Sequence, residues 1–371
     1  MKIPVFELKS QFRNIKKEIY PAVRETLKSG FYILDRHVTE FEEAFAGYCG
    51  AKYGVGVASG TDALILALRS LDIKKGDEVI TTPFTFFATS EAIYGTGAKI
   101  IFADIDLGSY TIEPKEIEKK ITRRTRALVC VHLYGQPCDM SDIKKLATRH
   151  KLKLIEDCAQ ASGAEYKNRK VGTFGAAGCF SFYPTKNLGG YGDGGMVITD
   201  AKETAASLRL LRAYGSRDRR RYLVHGYNSR LDELQAAILK IKLKYLDKWN
   251  TARRNRAAGY NKRLARLQEE GFLVTPKEQK DSRHVYHLYV LRAKKRDALR
   301  KFLLSNGIST AVHYPLPLHL QKVYKGLGHR LGDFPNTEIA TSEILTLPLY
   351  PELTEDKIDF ITRKIGRFYG K

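Results

Sequence analysis

An acid and an amine, held in two unlike settings, carry the most chemistry in this sequence. The apolar run Leu152-Lys153-Leu154-Ile155-Glu156-Asp157 ends on a carboxylate and reads as a buried strand. A second run, Cys179-Phe180-Ser181-Phe182-Tyr183, leads into Pro184-Thr185-Lys186-Asn187-Leu188-Gly189-Gly190, a loop too rich in glycine to be helical. Asp157 therefore closes one strand and Lys186 follows another. Open α/β sheets bind ligands at the carboxyl ends of their strands, where groups distant in sequence converge. The pairing suits pyridoxal phosphate. That cofactor needs a lysine amine to hold its aldehyde, and a carboxylate to keep its ring nitrogen protonated so that the ring can accept electrons. Taken singly, each residue has a plainer reading, as a solvated lysine and a turn or cap aspartate.

The flanking elements are those such a pair requires. Gly54-Val55-Gly56-Val57-Ala58 reads as a strand, Ser59-Gly60-Thr61-Asp62 breaks it, and a helical run covers 63–71. Free backbone N–H groups at that helix start, with hydroxyls from Ser59 or Thr61, would attract a phosphate; an Asp-capped start with no ligand is the alternative. Pro83-Phe84-Thr85-Phe86-Phe87 offers aromatic faces for a pyridine ring, with Phe84, Phe86 and Phe87 in competition. Strands at 78–82, 100–104, 127–131 and 195–199 alternate with helices at 114–120, 140–150 and 201–213, which implies right-handed crossovers and a mostly parallel sheet. His132 follows one strand and is expected on the ligand side, as a hydrogen-bonding or a structural group outside the catalytic set. Amphipathic helices are expected at 14–27 and 38–49. A long basic helical stretch over 231–267 bridges to a second domain that begins near residue 248, with a strand at 285–291 and helices at 296–306 and 355–368. The chain thus divides into 1–247 and 248–371.

The string Glu156-Asp157-Cys158-Ala159-Gln160-Ala161-Ser162-Gly163, with the stretch from Phe180 through Lys186 to Gly195, closely resembles the sugar aminotransferases of the DegT/DnrJ/EryC1/StrS family. The resemblance runs from Phe6 to the C-terminal helix. It implies the fold-type I architecture, a mostly parallel α/β sheet flanked by helices with a smaller α+β C-terminal domain. It also implies roles. Asp157 pairs with the pyridine nitrogen, Gln160 lies near the ring hydroxyl, Ser181 with Gly60 and Thr61 binds phosphate, Phe86 stacks on the ring, and Lys186 holds the cofactor. Asn228, in Tyr227-Asn228-Ser229-Arg230, reaches a neighbouring subunit's cofactor phosphate, so the expected assembly is a homodimer with shared sites; an N-cap is the plainer reading of this residue. Tyr183, Arg217, Arg230, His313 and Tyr314 are the substrate candidates.

The activity implied is transfer of an amino group from L-glutamate, through the pyridoxamine phosphate form, to a nucleotide-linked keto-sugar. Gly215-Ser216-Arg217 with the stretch Gly226 to Gln235 is more similar to members that aminate C3 of dTDP-3-keto-6-deoxyhexoses. UDP-linked 3-keto sugars and 4-keto sugars stay open. Thr185 stands where many members carry Gly. The related sugar dehydratases have His at the lysine position, and Lys186 argues against them. A non-catalytic regulator on the same scaffold is the rival from another class, and retention of Asp157, Gln160, Ser181 and Lys186 argues against it.

Composition sets outer bounds. The formal charge of +22 over 371 residues fits nucleic acid, an anionic small substrate or a lysine-rich surface. The densest basic cluster, Arg217, Arg219, Arg220 and Arg221, lacks interleaved stacking aromatics, so no nucleic-acid partner is expected. The five cysteines form no C-x-x-C pair, which points to reduced core thiols without zinc, and His313 with His319 lacks a further ligand set. No apolar signal region or membrane-spanning run is apparent, and a cytoplasmic protein is expected.

Overall fold

The computed structural model describes residues 2–218 and 220–371; Arg219 of the basic cluster lies outside them. Seven strands form the sheet that carries the cavity, in the spatial order Tyr53–Val57, Gly195–Thr199, Ala177–Ser181, Lys153–Asp157, Thr125–Val131, Glu78–Thr81 and Lys99–Phe102. Gly195–Thr199 pairs antiparallel with both neighbours, and every other adjacent pair is parallel. The expected mostly parallel sheet is therefore present. Ala177–Ser181 and Gly195–Thr199 are buried at every position, because helices cover both faces of the sheet.

On one face the helices Gly60–Ser70, Phe87–Gly95 and Lys202–Leu211 press Ala63, Leu64, Ala92 and Leu208 onto Val55, Val79 and Val197. On the other, Arg36–Cys49 and Glu233–Leu243 set Phe41, Phe45 and Leu239 against Phe180 and Phe182. Phe45 meets Phe180 and Phe182 edge-on, with centroids 4.9 and 5.3 Å apart. Those two aromatics flank Ser181, so this packing fixes the strand end that faces the ligand.

Several boundaries differ from expectation for local reasons. The first helix spans Lys9–Ser29 rather than 14–27, because the Glu7 carboxylate accepts the N–H groups of Lys9 and Ser10 at 2.8 Å each and so opens the helix earlier. The 231–267 stretch is two helices, Glu233–Leu243 and Leu246–Glu269. The strand expected at 285–291 is Tyr289–Ala293. Its first residues are committed elsewhere: Val285 N–H donates to Gly135, and the carbonyls of Tyr286 and His287 accept from Arg253.

A three-stranded antiparallel sheet, Leu273–Val274, Tyr289–Ala293 and Ile344–Leu347, has its own core under Arg296–Ser305 and Glu355–Phe368. Ile3 joins that core, and it exchanges backbone hydrogen bonds with Gly307 and Ser309 at 2.9 Å. All five cysteines are buried and unpaired. Among the described residues, no helix is long and apolar enough to cross a membrane.

Truncating Phe45 leaves a cavity directly behind Phe180 and Phe182. Phe45→Ala is expected to lower stability by about 3–5 kcal/mol, read as an earlier thermal melt. An unchanged melt would refute the place given to this packing.

Candidate active site

Asp157 is the last residue of its strand and is buried. Its Oδ2 accepts the Thr89 hydroxyl at 2.8 Å, its Oδ1 accepts the Ala159 N–H at 3.1 Å, and Thr89 is held in turn by Thr85 at 3.0 Å. Burial pushes the carboxyl above its ordinary value, while these hydrogen bonds and the Lys186 charge work against the rise. Lys186 sits half-buried in a turn closed by its N–H on Tyr183 O at 2.8 Å. Loss of water pushes its amine down to about 8, against the opposing pull of Asp157. The two groups share one cavity of about 540 Å³.

A helix start lies beside them. The helix Gly60–Ser70 starts where its strand ends, and Ser59 caps it by accepting the Asp62 N–H at 3.1 Å. Asp62 is not the cap; its carboxylate accepts the Ser229 hydroxyl at 2.7 Å. A Cβ at Gly60 would come within 2.6 Å of Ser181 Cβ, and one at Gly195 within 2.2 Å of Ser59 O. Glycine at both positions lets the free N–H groups of the helix start meet the Ser181 hydroxyl, as anion binding at a helix terminus requires.

The aromatic competition has a spatial answer. Phe86 lines the cavity about half exposed, with its ring 5.6 Å from Tyr314; Phe84 is buried against Tyr110 and Tyr134, and Phe87 leans on Tyr324. Gln160 is fixed at both ends, Oε1 accepting the Tyr134 N–H at 2.7 Å and Nε2 donating to the Tyr314 hydroxyl at 3.1 Å. His313 is braced by Thr346 at 2.9 Å, and burial pushes its imidazole down to about 4. Gly60, Thr61, Phe86, Asp157, Gln160, Ser181, Tyr183, Lys186, His313 and Tyr314 all line the cavity.

Three expected residues do not. Asn228 is exposed and bridges Ala213, Arg217 is exposed, and Arg230 lies over the Tyr214 ring at 6.0 Å. None of them lines the cavity of a single chain. His132, expected on the ligand side, is wholly buried away from the cavity: its Nε2 faces Glu156 at 3.1 Å and its Nδ1 accepts the Cys138 N–H at 3.0 Å. Glu156 also accepts the N–H groups of Gly172, Phe174 and Gly175 at 2.7–2.8 Å. The cluster His132, Glu156 and Cys158 has metal-ligand residue types. Its imidazole and carboxylate are committed to these bonds, so it serves as a polar clamp.

Sequence reasoning missed Phe6, Thr89, Asp193 and His287, all of which line the cavity or brace it. Thr89 had a signal, since it lies one turn after Phe86 at a helix start. The others carried none that separates them from packing or loop residues.

The residues present fit pyridoxal phosphate. The buried carboxylate has an oxygen face on the cavity, the lysine is of low basicity, and glycine brings a helix start against a hydroxyl. Such a site on this sheet is that of a pyridoxal-phosphate-dependent aminotransferase. Residues 13–366 match the DegT/DnrJ/EryC1/StrS aminotransferase family, and the chain belongs to it. The chain is 47% identical, over 100% of its own length and 99% of the relative's, to a "pleiotropic regulatory protein" of Geobacillus stearothermophilus. It is 45% identical, over 99% of each, to a dTDP-3-amino-3,6-dideoxy-α-D-galactopyranose transaminase of Aneurinibacillus thermoaerophilus. Among solved structures it resembles S. venezuelae DesV in complex with a ketimine intermediate, with a TM-score of 0.96, 42% identity, and coverage of 100% of this chain and 99% of that one.

An ordinary lysine captures an aldehyde well only near its own pKa, about 10.4. Because burial lowers the Lys186 amine, the rate at which apo-protein takes up pyridoxal phosphate is expected to rise through pH of about 8, followed by absorbance. A rise centred near 10 would contradict the site electrostatics.

Proposed function

We propose that this sugar aminotransferase moves the amino group of L-glutamate to C3 of a dTDP-linked 3-keto-6-deoxyhexose. The observation that carries the reading is the meeting of Lys186, Asp157, Gln160, Ser181 and Phe86 in one cavity. When bound, pyridoxal phosphate supplies an aldehyde that takes up the amine and a ring that accepts the electron pair left by the departing α proton. Lys186 would anchor the group and, once released, its amine would move the proton between the donor's α-carbon and the carbon that was the cofactor's aldehyde; an amine near neutrality suits that task. Asp157 holds the ring nitrogen's proton, and Thr89 keeps the carboxylate turned toward it. Phe86 covers the ring, Gln160 meets its hydroxyl, and Gly60, Thr61 and Ser181 hold the phosphate. Tyr183, His313 and Tyr314 face the sugar.

The same reading makes the active unit a homodimer. Among the described residues lining the cavity, Lys186 is the only lysine or arginine. Glutamate and a nucleotide diphosphate both call for cations, which Arg217 and Arg230 of a second copy would supply, with Asn228 on the cofactor phosphate. Exposed Phe31, Tyr32, Tyr222 and Leu223 support a covered face at that position. The reading also keeps a division near residue 248, supported by the separate core of the C-terminal sheet, with Ile3 lent to it from the N-terminus. The name of the Geobacillus relative favours a regulatory role. The low-basicity lysine opposite a buried carboxylate argues for catalysis, since a binding scaffold has no use for either.

Lys186→Ala is expected to lose at least the roughly 10²–10⁴-fold supplied by proton transfer. Mixed with Asn228→Ala under subunit exchange, it should regain activity in heterodimers. No recovery despite proven exchange would remove Asn228 from the shared site. The substrate is tested by presenting the pyridoxamine form with dTDP- and UDP-linked 3-keto and 4-keto sugars and following return of the aldehyde absorbance. Turnover of a 4-keto sugar alone would defeat the C3 assignment.

A further inference from the structure

The turn that follows the strand Thr125–Val131 holds a residue whose every polar group is engaged. Tyr134 is 2% exposed and stands outside the cavity lining. Its N–H donates to Gln160 Oε1 at 2.7 Å, its carbonyl accepts the Leu288 N–H at 3.4 Å, and its hydroxyl donates to the His313 carbonyl. Its backbone is left-handed, at φ 58°, a region sparsely populated by residues with side chains. The turn is already fixed where it begins. His132 N–H donates to Asp157 O at 3.0 Å, and the His132 ring is clamped between Glu156 and the Cys138 N–H.

The segment that the hydroxyl reaches has few other ties. Ala311 pairs with Thr346 through backbone bonds of 2.8 and 3.2 Å, and Leu318 N–H donates to Pro83 O at 2.9 Å. Between those anchors, among the described residues, the backbone of 312–316 accepts two hydrogen bonds, from the Tyr134 hydroxyl at His313 and from the Gln321 amide at Leu316. Gln321 belongs to the same stretch of chain, so the polar tie to the sheet is Tyr134. Burial, with Tyr314 and Tyr110 nearby, pushes the Tyr134 hydroxyl well above its ordinary value, so it stays a donor. The tie also closes a circuit. Gln160 Oε1 is taken by an N–H, which only donates, so Nε2 is the group that meets the Tyr314 hydroxyl at 3.1 Å. Gln160, His313 and Tyr314 line the cavity, and Tyr134 joins the first to the other two from behind.

We propose that Tyr134 is a positioning residue for the sugar: by holding the His313 carbonyl it sets segment 312–316 against the wall that carries Gln160, and so fixes where the keto-sugar lies over the cofactor. This rests on the reading that His313 and Tyr314 face the sugar. Loss of the hydroxyl leaves the His313 carbonyl without its donor and lets the segment move toward water. The cofactor side keeps its contact, because the N–H on Gln160 belongs to the Tyr134 backbone. Binding of the sugar and reaction of the amino donor are therefore separable.

The test uses Tyr134→Phe, which removes the hydroxyl and keeps the ring against Phe84 and Tyr110. In single turnovers of the pyridoxamine form, the half-saturating keto-sugar concentration is expected to rise about tenfold with the limiting rate nearly unchanged, while the glutamate half-reaction stays within about twofold of wild type. A second readout needs no reaction. Burial, and then the Lys186 charge, hold the His313 imidazole at about 4. A segment released toward water relieves that burial, so NMR titration of His313 in the apo-protein, assigned by its loss in His313→Gln, is expected to move up by about one pH unit in Tyr134→Phe. Equal losses in both half-reactions, or an unmoved His313 titration, would overturn the proposal and leave Tyr134 a brace for the fold. If Tyr134→Phe does not fold, 3-fluorotyrosine at position 134 makes the same hydroxyl a stronger donor; keto-sugar affinity is then expected to rise, and no change overturns the proposal. His313→Gln separates the two levels. Keto-sugar binding equal to wild type in that variant takes the segment off the sugar and defeats the reading beneath, whereas weaker binding in it with none in Tyr134→Phe overturns the role of Tyr134 alone.

Discussion

A lysine amine and a carboxylate kept in one poorly hydrated space impose the constraint that the rest of the molecule answers. Burial alone would make both groups neutral, driving the amine down and the carboxyl up. Each limits the other's shift, since Asp157 opposes the fall of Lys186 and Lys186 opposes the rise of Asp157. The amine settles at about 8, close to the value at which a group both takes and gives a proton readily. Asp157 is further held by the Thr89 hydroxyl and the Ala159 N–H. The charge on Lys186 also helps keep His287 and His313 neutral. Mutual dependence of this kind tolerates little movement, because a small change in separation alters every term.

Rigidity comes from two sources on opposite sides of the sheet. Behind Ser181, the rings of Phe41, Phe45, Phe180 and Phe182 interlock edge to face, geometry favoured by aromatic quadrupoles and hard to deform in a dense core. In front, the backbone approaches at Gly60 and Gly195 leave no room for a side chain. The strand end, the helix start and the returning strand are thereby locked into one corner. Lys186 lies on a loop, and its precision is supplied from outside that loop: Gln235 accepts the Tyr191 N–H at 2.8 Å, while Asn250 and Val285 hold Asn187. A loop lysine pinned at its neighbours behaves as though it belonged to a regular element.

What the sequence could reveal followed from how local each signal is. Asp157 and Lys186 were legible because a strand ending on an acid and a glycine-rich loop after a strand are short-range patterns. The α/β alternation was legible for the same reason. The start of the helix Lys9–Ser29 was not, because Glu7 acts through its side chain rather than through periodicity. His287 was invisible, since its neighbours read as a strand; the backbone there is diverted to Gly135 and Arg253. His132 stayed open between a ligand-side and a structural role because position after a strand says which edge a residue is near and leaves open whether its ring turns inward. Glu156 draws that ring into the core.

The charge of the chain bears on the cavity by contrast. A formal excess of +22 coexists with a cavity wall that, among the described residues, contributes one lysine and no arginine. Additional cations on that wall would lower the Lys186 amine further and stabilise Asp157 as a spectator ion, uncoupling the pair. Cations for an anionic substrate are therefore better kept on mobile or separate surfaces that arrive with the ligand, where solvent screens them from Lys186 until binding excludes water. Arg217 and Arg230 lie outside the cavity lining of a single chain.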